Sequence, residues 1–140
     1  MRRLPPRPRV LLADDHDRLR EALRDLLVET GFEVVGESGD GADAVAMARM
    51  LEPDIVVIDL RMPVLNGLDA TRLIKDARPA TQVVVLSAFE SPELERQARE
   101  AGAFAYLDKG TMARRLHRVL LGAAVQAVLA AGPGTGAGRT

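Results

Sequence analysis

Cysteine is absent from the 140 residues. Its absence removes disulfides, thiolate metal ligands and thiol nucleophiles, and it leaves the redox compartment open. Lysine is nearly absent: Lys75 and Lys109 are the only two, and arginine carries the remaining positive charge. A GC-rich genome accounts for that bias, but it makes the place of Lys109 informative. Charge of one sign is lacking too. A formal net charge of −1 gives no bulk-charge reason to expect nucleic-acid binding. Long apolar runs are missing. Val10 to Ala13, after the basic, proline-rich residues 1–8, is too short for a signal peptide. Val119 to Ala131 is interrupted by Gln126 and falls short of the ~18 residues that span a bilayer. The expectation is a cytoplasmic protein with no membrane contact and no direct nucleic-acid contact.

What is present is ordinary for a globular domain: 47% hydrophobic and 28% charged residues, in a length that fits one core. Residues 1–8 are expected to form a disordered arm, 9–131 a single folded domain, and 132–140 a flexible Gly-rich tail.

The centre of the chain is Asp54-Ile55-Val56-Val57-Ile58-Asp59. Four β-favouring apolar residues without alternation predict a strand covered on both faces, as in a parallel sheet. Asp59 stands where that strand ends, and Pro63 and Asn66-Gly67 punctuate the loop beyond it. Four further strands are predicted: Arg9 to Ala13, Phe32 to Ser38, Gln82 to Ser87 and Ala103 to Leu107. Helices are predicted between and after them, at about Asp17 to Thr30, Gly41 to Leu51, Leu68 to Ala77, Ser91 to Ala101 and Met112 to Ala131. In the first helix Leu19, Ala22, Leu23, Leu26 and Leu27 form an inward stripe. Asp40 is placed to cap the second, and Ser91-Pro92-Glu93 is a strong helix start. Strict alternation of strand and helix argues for a doubly wound α/β parallel sheet with helices on both faces.

Polar residues recur at equivalent places. Asp14 and Asp15 end the first strand, Asp59 the third and Ser87 the fourth, and Lys109 follows the fifth. In a parallel sheet these ends share one rim. Three carboxylates close together repel one another, so one must hold a proton or a cation must bind. Oxygen-only ligands favour a hard ion, and Mg2+ suits carboxylates combined with phosphate oxygens and waters. Asp59 is then a candidate nucleophile towards phosphorus. Lys109 would neutralise charge on a transferring phosphoryl group, and the Ser87 hydroxyl would donate to one of its oxygens.

The set Asp14-Asp15, Asp59 with Met62-Pro63 and Asn66-Gly67, Ser87-Ala88 and Lys109 resembles the receiver domain of two-component response regulators. The resemblance covers roughly Arg9 to Leu121. It implies a flavodoxin-like (βα)5 fold with strand order 2-1-3-4-5, an order carried over from the family. It also implies phosphorylation of Asp59 by the phosphohistidine of a sensor histidine kinase. Mg2+, or Mn2+ in its place, would be held directly by Asp15, Asp59 and the backbone carbonyl of Arg61, with Asp14 acting mainly through water. Lys109 would pair with the phosphoryl group. Ser87 would move towards it and let Tyr106 turn inwards, changing the surface of the fourth helix, fifth strand and fifth helix. The protein is therefore expected to be a phosphoacceptor, not an enzyme, that promotes its own phosphotransfer and slow dephosphorylation.

Two departures stand out. Gly110 occupies a place where receivers often have proline, and so lacks the accessible cis bond of an X-Pro peptide. Arg61 and Phe89, two positions beyond Asp59 and Ser87, influence in this family how water reaches the phosphoryl group. One long and cationic, the other aromatic, they predict slow self-dephosphorylation.

Blander readings exist for each residue taken alone. Asp14-Asp15 can be a capping pair, Asp59 a solvated strand end, Lys109 a surface lysine, Ser87 a strand-end hydrogen bond and Tyr106 a half-buried aromatic. His16 adjoins the acids but is expected to face solvent, and His117 has no evident partner. A haloacid dehalogenase type of enzyme also uses an aspartate nucleophile and Mg2+, but it requires an acid two residues on, where this chain has Arg61. A pseudo-receiver that docks without taking phosphate is the other alternative. Output is left open between a downstream protein partner and a missing output domain, as in the receiver part of a longer DNA-binding transcription regulator. Leu121, Ala124, Val125 and Val128 form a second apolar stripe on the last helix, consistent with a homodimer contact through that helix or with plain alanine-rich amphipathicity.

Overall fold

The computed structural model describes residues 7–138, with side chains as far as residue 132. Strands β1 (Arg9–Ala13), β2 (Glu33–Ser38), β3 (Ile55–Asp59), β4 (Gln82–Ser87) and β5 (Ala105–Asp108) alternate with five helices. These are α1 (Asp17–Glu29), α2 (Gly41–Leu51), α3 (Gly67–Ala77), α4 (Pro92–Glu100) and α5 (Met112–Gly138). Every strand pairing is parallel, in the order β2-β1-β3-β4-β5.

The non-alternating strands have the reason expected of them. Alternate residues enter two separate cores. Leu11, Val56, Ile58, Val83 and Val85 pack with Ala44, Val45 and Ala48 of α2, Ala70 and Ile74 of α3, and Ala98 of α4. Val10, Leu12, Ile55, Val57, Val84 and Leu86 pack with Leu23 and Leu27 of α1 and Leu116, Leu120 and Ala123 of α5. A strand whose side chains are buried on both sides has no solvent face to make polar.

Helix starts follow the local sequence. The side chains of Asp40, Asn66 and Ser91 accept the backbone N–H groups of Asp43, Asp69 and Leu94, capping α2, α3 and α4. Two glycines let the β3–α3 loop close against its surroundings. A Cβ on Gly41 would lie 1.8 Å from the Leu65 carbonyl oxygen, and one on Gly67 2.5 Å from the Asp59 carbonyl oxygen. Between them, Val64 takes a positive φ of 72° in a tight turn closed by the Leu65 N–H on the Pro63 carbonyl (2.7 Å).

Several expectations need correction. The inward stripe of α1 is narrower than predicted: Leu23 and Leu27 are buried and Leu19 is half-buried, but Ala22 and Leu26 are exposed. Residues 1–6 of the expected arm lie outside the described residues, and Pro8 is already engaged, its carbonyl accepting the Glu33 N–H at 2.9 Å. α5 does break where its stop was expected, at Gly132 (φ 76°, ψ 161°), but helical backbone resumes and continues to Gly138 in place of an irregular tail. Residues 139–140 of that tail lie outside the described residues. His117 acquires a partner that the sequence did not suggest, meeting Phe32 edge-on with ring centroids 6.0 Å apart. No helix among the described residues is long and apolar enough to cross a membrane.

Gly41→Ala should destabilise the domain by about 2–3 kcal/mol, since the methyl group meets a backbone carbonyl that cannot rotate away. Chemical denaturation checks this. The exposed Ala42→Gly change serves as a control, with an expected loss of about 1 kcal/mol from helix propensity alone.

Candidate functional site at the carboxyl rim of the sheet

Register brings the rim residues together. Ala13 is level with Ile58, so Asp14 and Asp59 come next on adjacent strands. Asp59 is level with Leu86, and Ser87 with Asp108, which puts Ser87 and Lys109 one step further along. The backbone ladder is extended at this edge by Asp14 N–H to the Ser38 carbonyl (3.0 Å), Leu60 N–H to Leu86 (2.7 Å) and Lys109 N–H to Ser87 (2.7 Å).

Asp14 and Asp59 are both buried. Lys109 Nζ lies 3.0 Å from Asp14 Oδ2 and 3.1 Å from Asp59 Oδ2, bridging the two carboxylates. Asp15 stands at the exposed lip. The backbone N–H of Arg61 donates to Asp59 Oδ1 at 3.3 Å, which sets that peptide against the carboxylate. Gly110 does not prevent this arrangement. Its N–H donates to Asp108 Oδ1 (3.0 Å), closing the turn after Lys109, and no cis peptide occurs among the described residues.

The electrostatics are those of a crowded acidic site. Burial raises the Asp59 pKa above its ordinary value; the Lys109 ammonium opposes the rise and the neighbouring Asp14 charge adds to it. For Lys109 burial works downwards, but the two carboxylates together carry its pKa above the usual lysine value. One cation facing three carboxylates leaves net negative charge. Asp14 Oδ2 is buried and faces the Lys109 ammonium at 3.0 Å. Several carboxylate oxygens with net negative charge are an environment that suits a hard divalent cation.

Ser87 and Tyr106 lie in the adjoining β4–α4 region. Ser87 Oγ accepts the Phe89 N–H at 3.1 Å, and the Tyr106 hydroxyl donates to the Phe89 carbonyl at 2.6 Å. The Tyr106 ring is buried and not the half-buried aromatic of the blander reading. The guanidinium of Arg61 lies 5.6 Å over the Phe89 ring, joining the loop after β3 to the loop after β4.

Two residues were missed or set aside in the sequence. Arg20 of α1 donates to the backbone carbonyl of Asp14 and to Glu37 Oε1 (3.0 Å), so it holds the acidic strand end in place. Nothing in the local pattern distinguishes it from the other arginines of that helix. His16 is solvent-exposed, as expected, yet its Nδ1 also reaches the acids, 3.0 Å from Asp14 Oδ1 and 3.3 Å from Asp15 Oδ1.

Because Asp59 keeps its proton to higher pH when folded than when unfolded, its contribution to stability is present at low pH. That contribution is lost as pH rises through the folded-state value. In metal-free buffer at neutral pH, Asp59→Asn should therefore stabilise the fold by about 1–2 kcal/mol, read as a higher thermal midpoint. The gain should shrink on acidification below the carboxylate range.

Comparison with known proteins agrees with this geometry. The family model described as the response regulator receiver domain matches residues 10–121. The transcriptional regulatory protein PdtaR of Mycobacterium tuberculosis is 46% identical over 101 residues, covering 72% of this chain and 49% of PdtaR. Chemotaxis protein CheY of Thermotoga maritima is 38% identical over 101 residues, covering 72% of this chain and 84% of CheY. Among solved structures, the signal receiver domain of the response regulator NarL from Mycobacterium tuberculosis superposes with a TM-score of 0.80 at 30% identity, covering 86% of this chain and 98% of that one. The chain spans about half the length of the transcriptional regulators it matches, 49% of PdtaR and 48% of GacA from Pseudomonas aeruginosa. With five parallel strands in the order 2-1-3-4-5 and a match that runs from β1 into α5, the chain belongs to the receiver domain family of two-component response regulators.

Proposed function

We propose that Asp59 is the phosphoacceptor of this receiver, taking a phosphoryl group from the phosphohistidine of a sensor histidine kinase in the cytoplasm. A carboxylate oxygen of Asp59 attacks phosphorus as the phosphorus–nitrogen bond breaks. The electron pair of that bond leaves with the imidazole, and an acyl phosphate forms on Asp59. The observation that carries this reading is the Lys109 ammonium set between two buried carboxylates, 3.0 and 3.1 Å away. A cation so placed is positioned for charge that develops on phosphoryl oxygens beside Asp59.

Asp14, Asp15 and Asp59, with the Arg61 backbone carbonyl, would hold Mg2+, or Mn2+ in its place. When bound, the ion neutralises charge on the phosphoryl oxygens. Lys109 pairs with the phosphoryl group, and Ser87 moves towards it to donate its O–H, drawing its oxygen away from the Phe89 N–H. That exchange loosens the β4–α4 loop, to which Tyr106 is tied through the Phe89 carbonyl. The loop and Tyr106 thereby carry the change to the surface of α4, β5 and α5. The chain acts as a phosphoacceptor and not as an enzyme on a separate substrate. Its output passes to a downstream partner or to an output domain of a longer regulator, and the half-length match to transcriptional regulators supports the latter.

Incubation with Mg2+ and acetyl phosphate, followed by intact mass measurement, should show one phosphoryl adduct that is lost in Asp59→Asn. No adduct on the native chain would favour the pseudo-receiver. Arg61 and Phe89 meet between the loops after β3 and β4, and with these residues in place the adduct should decay slowly and Phe89→Ala should shorten its life several-fold. A native lifetime of seconds would count against this role.

A homodimer through α5 has its own observation. Leu121, Val125, Val128 and Leu129 stay exposed along that helix while Leu116, Leu120, Ala123 and Ala127 are buried. An apolar stripe of this length on a solvated helix calls for a second surface. Light scattering with and without the phosphoryl mimic beryllofluoride should show dimer mass that Val125→Glu abolishes. A monomer at every concentration would exclude the dimer.

A further inference from the structure

We propose that His16 is a nitrogen ligand of the acidic site, one that tilts its preference from Mg2+ towards later divalent first-row transition ions. The inference rests on the reading of Asp14, Asp15 and Asp59 as metal-holding residues and adds a donor of different chemistry to them.

His16 occupies the N-cap position of α1, where a side chain ordinarily accepts a backbone N–H of the first turn. It makes no such bond. The ring turns back over the rim instead. Its Nδ1 lies 3.0 Å from Asp14 Oδ1, 3.3 Å from Asp15 Oδ1 and 3.9 Å from Asp59 Oδ2. One donor atom from each of the four residues falls within 4.8 Å of the others. Neighbouring ligands on an ion about 2.1 Å away stand about 3 Å apart, so little movement is needed to share one ion. The second observation is the charge balance: among the described residues, the buried Asp14 Oδ2 has only the single Lys109 ammonium beside it, which it shares with Asp59.

The imidazole can serve without leaving its place. His16 is 65% exposed, so the ring edge away from the acids meets water and Nε2 can carry the proton. Without metal, Nδ1–H donates to Asp14 Oδ1, which can only accept; on metal binding that proton leaves and the Nδ1 lone pair faces the ion. The backbone N–H of His16 donates to Asp14 Oδ1 at 2.8 Å, which fixes the residue against its neighbour and aims the ring. Carboxylates suit Mg2+ and Mn2+ alike, whereas imidazole suits later first-row ions such as Ni2+ and Zn2+, so one added nitrogen separates the two classes.

The test uses Mn2+, Ni2+ and Mg2+, each alone, with the full chain. Mn2+ bound to the native protein should show imidazole 14N coupling by pulsed electron paramagnetic resonance. The coupling should vanish in His16→Asn and persist in His117→Asn. Asparagine is a favoured N-cap residue, so the variant should fold, as circular dichroism would verify. Ni2+ affinity should fall at least about tenfold in His16→Asn while Mg2+ affinity changes little. Mn2+ bound by the native chain with no 14N coupling would overturn the role of His16 and leave the carboxylate site standing. Failure of Mn2+ and Mg2+ alike to bind at millimolar concentration would overturn both.

Discussion

Like charge crowded at one edge of a sheet is the constraint around which this domain is arranged. Asp14 and Asp59 are buried side by side and Asp15 stands at the lip above them. Such a group is unfavourable by itself, because burial and mutual repulsion both disfavour the ionised forms. Lys109 makes it tenable by approaching both buried carboxylates from β5, two strands away from Asp59. The balance is incomplete, and one ammonium between two buried carboxylates leaves residual negative charge at the rim. Stability and function pull in opposite directions here, as they commonly do where charges are held for chemistry.

The surroundings serve that arrangement. Two hydrophobic layers hold the strands in register, and the register puts the strand ends level. Gly41 and Gly67 let the loop after β3 close against α2 and against the end of its own strand. Arg20 fixes the Asp14 peptide from α1, and Arg61 meets Phe89 across the gap between the β3 and β4 loops. The same Phe89 carbonyl receives the Tyr106 hydroxyl, so the loop beside the acids and the face of β5 are mechanically joined. A change at Ser87, which is bonded to the Phe89 N–H, has a short route to that face.

Much of this was legible in the chain. Apolar runs without alternation announced strands covered on both sides, and Asp40 and Ser91 announced the helix starts that they cap. The spacing of Asp14, Asp15, Asp59, Ser87 and Lys109 placed each at a strand end of a parallel sheet, where backbone direction leaves only one rim. Other features depended on angles that one-dimensional patterns do not carry. Ala22 and Leu26 fit the α1 stripe by spacing, but the helix presents a narrower face to the sheet and leaves them in solvent. Helical backbone beyond Gly132 runs against a composition rich in glycine.

The chain by itself determined the alternation of strands and helices and which acids stand at strand ends, because hydrophobic periodicity is a local property, whereas the strand order 2-1-3-4-5 came only with the family resemblance. Only the tertiary structure decided which cation reaches which carboxylate, that Arg20 supports Asp14, that Tyr106 is buried, and that the His16 ring turns towards the acids and not away from them. Those outcomes depend on side-chain rotamers and on distances between elements far apart in sequence. Two residues with equal claims by spacing are separated there by a few ångströms of approach.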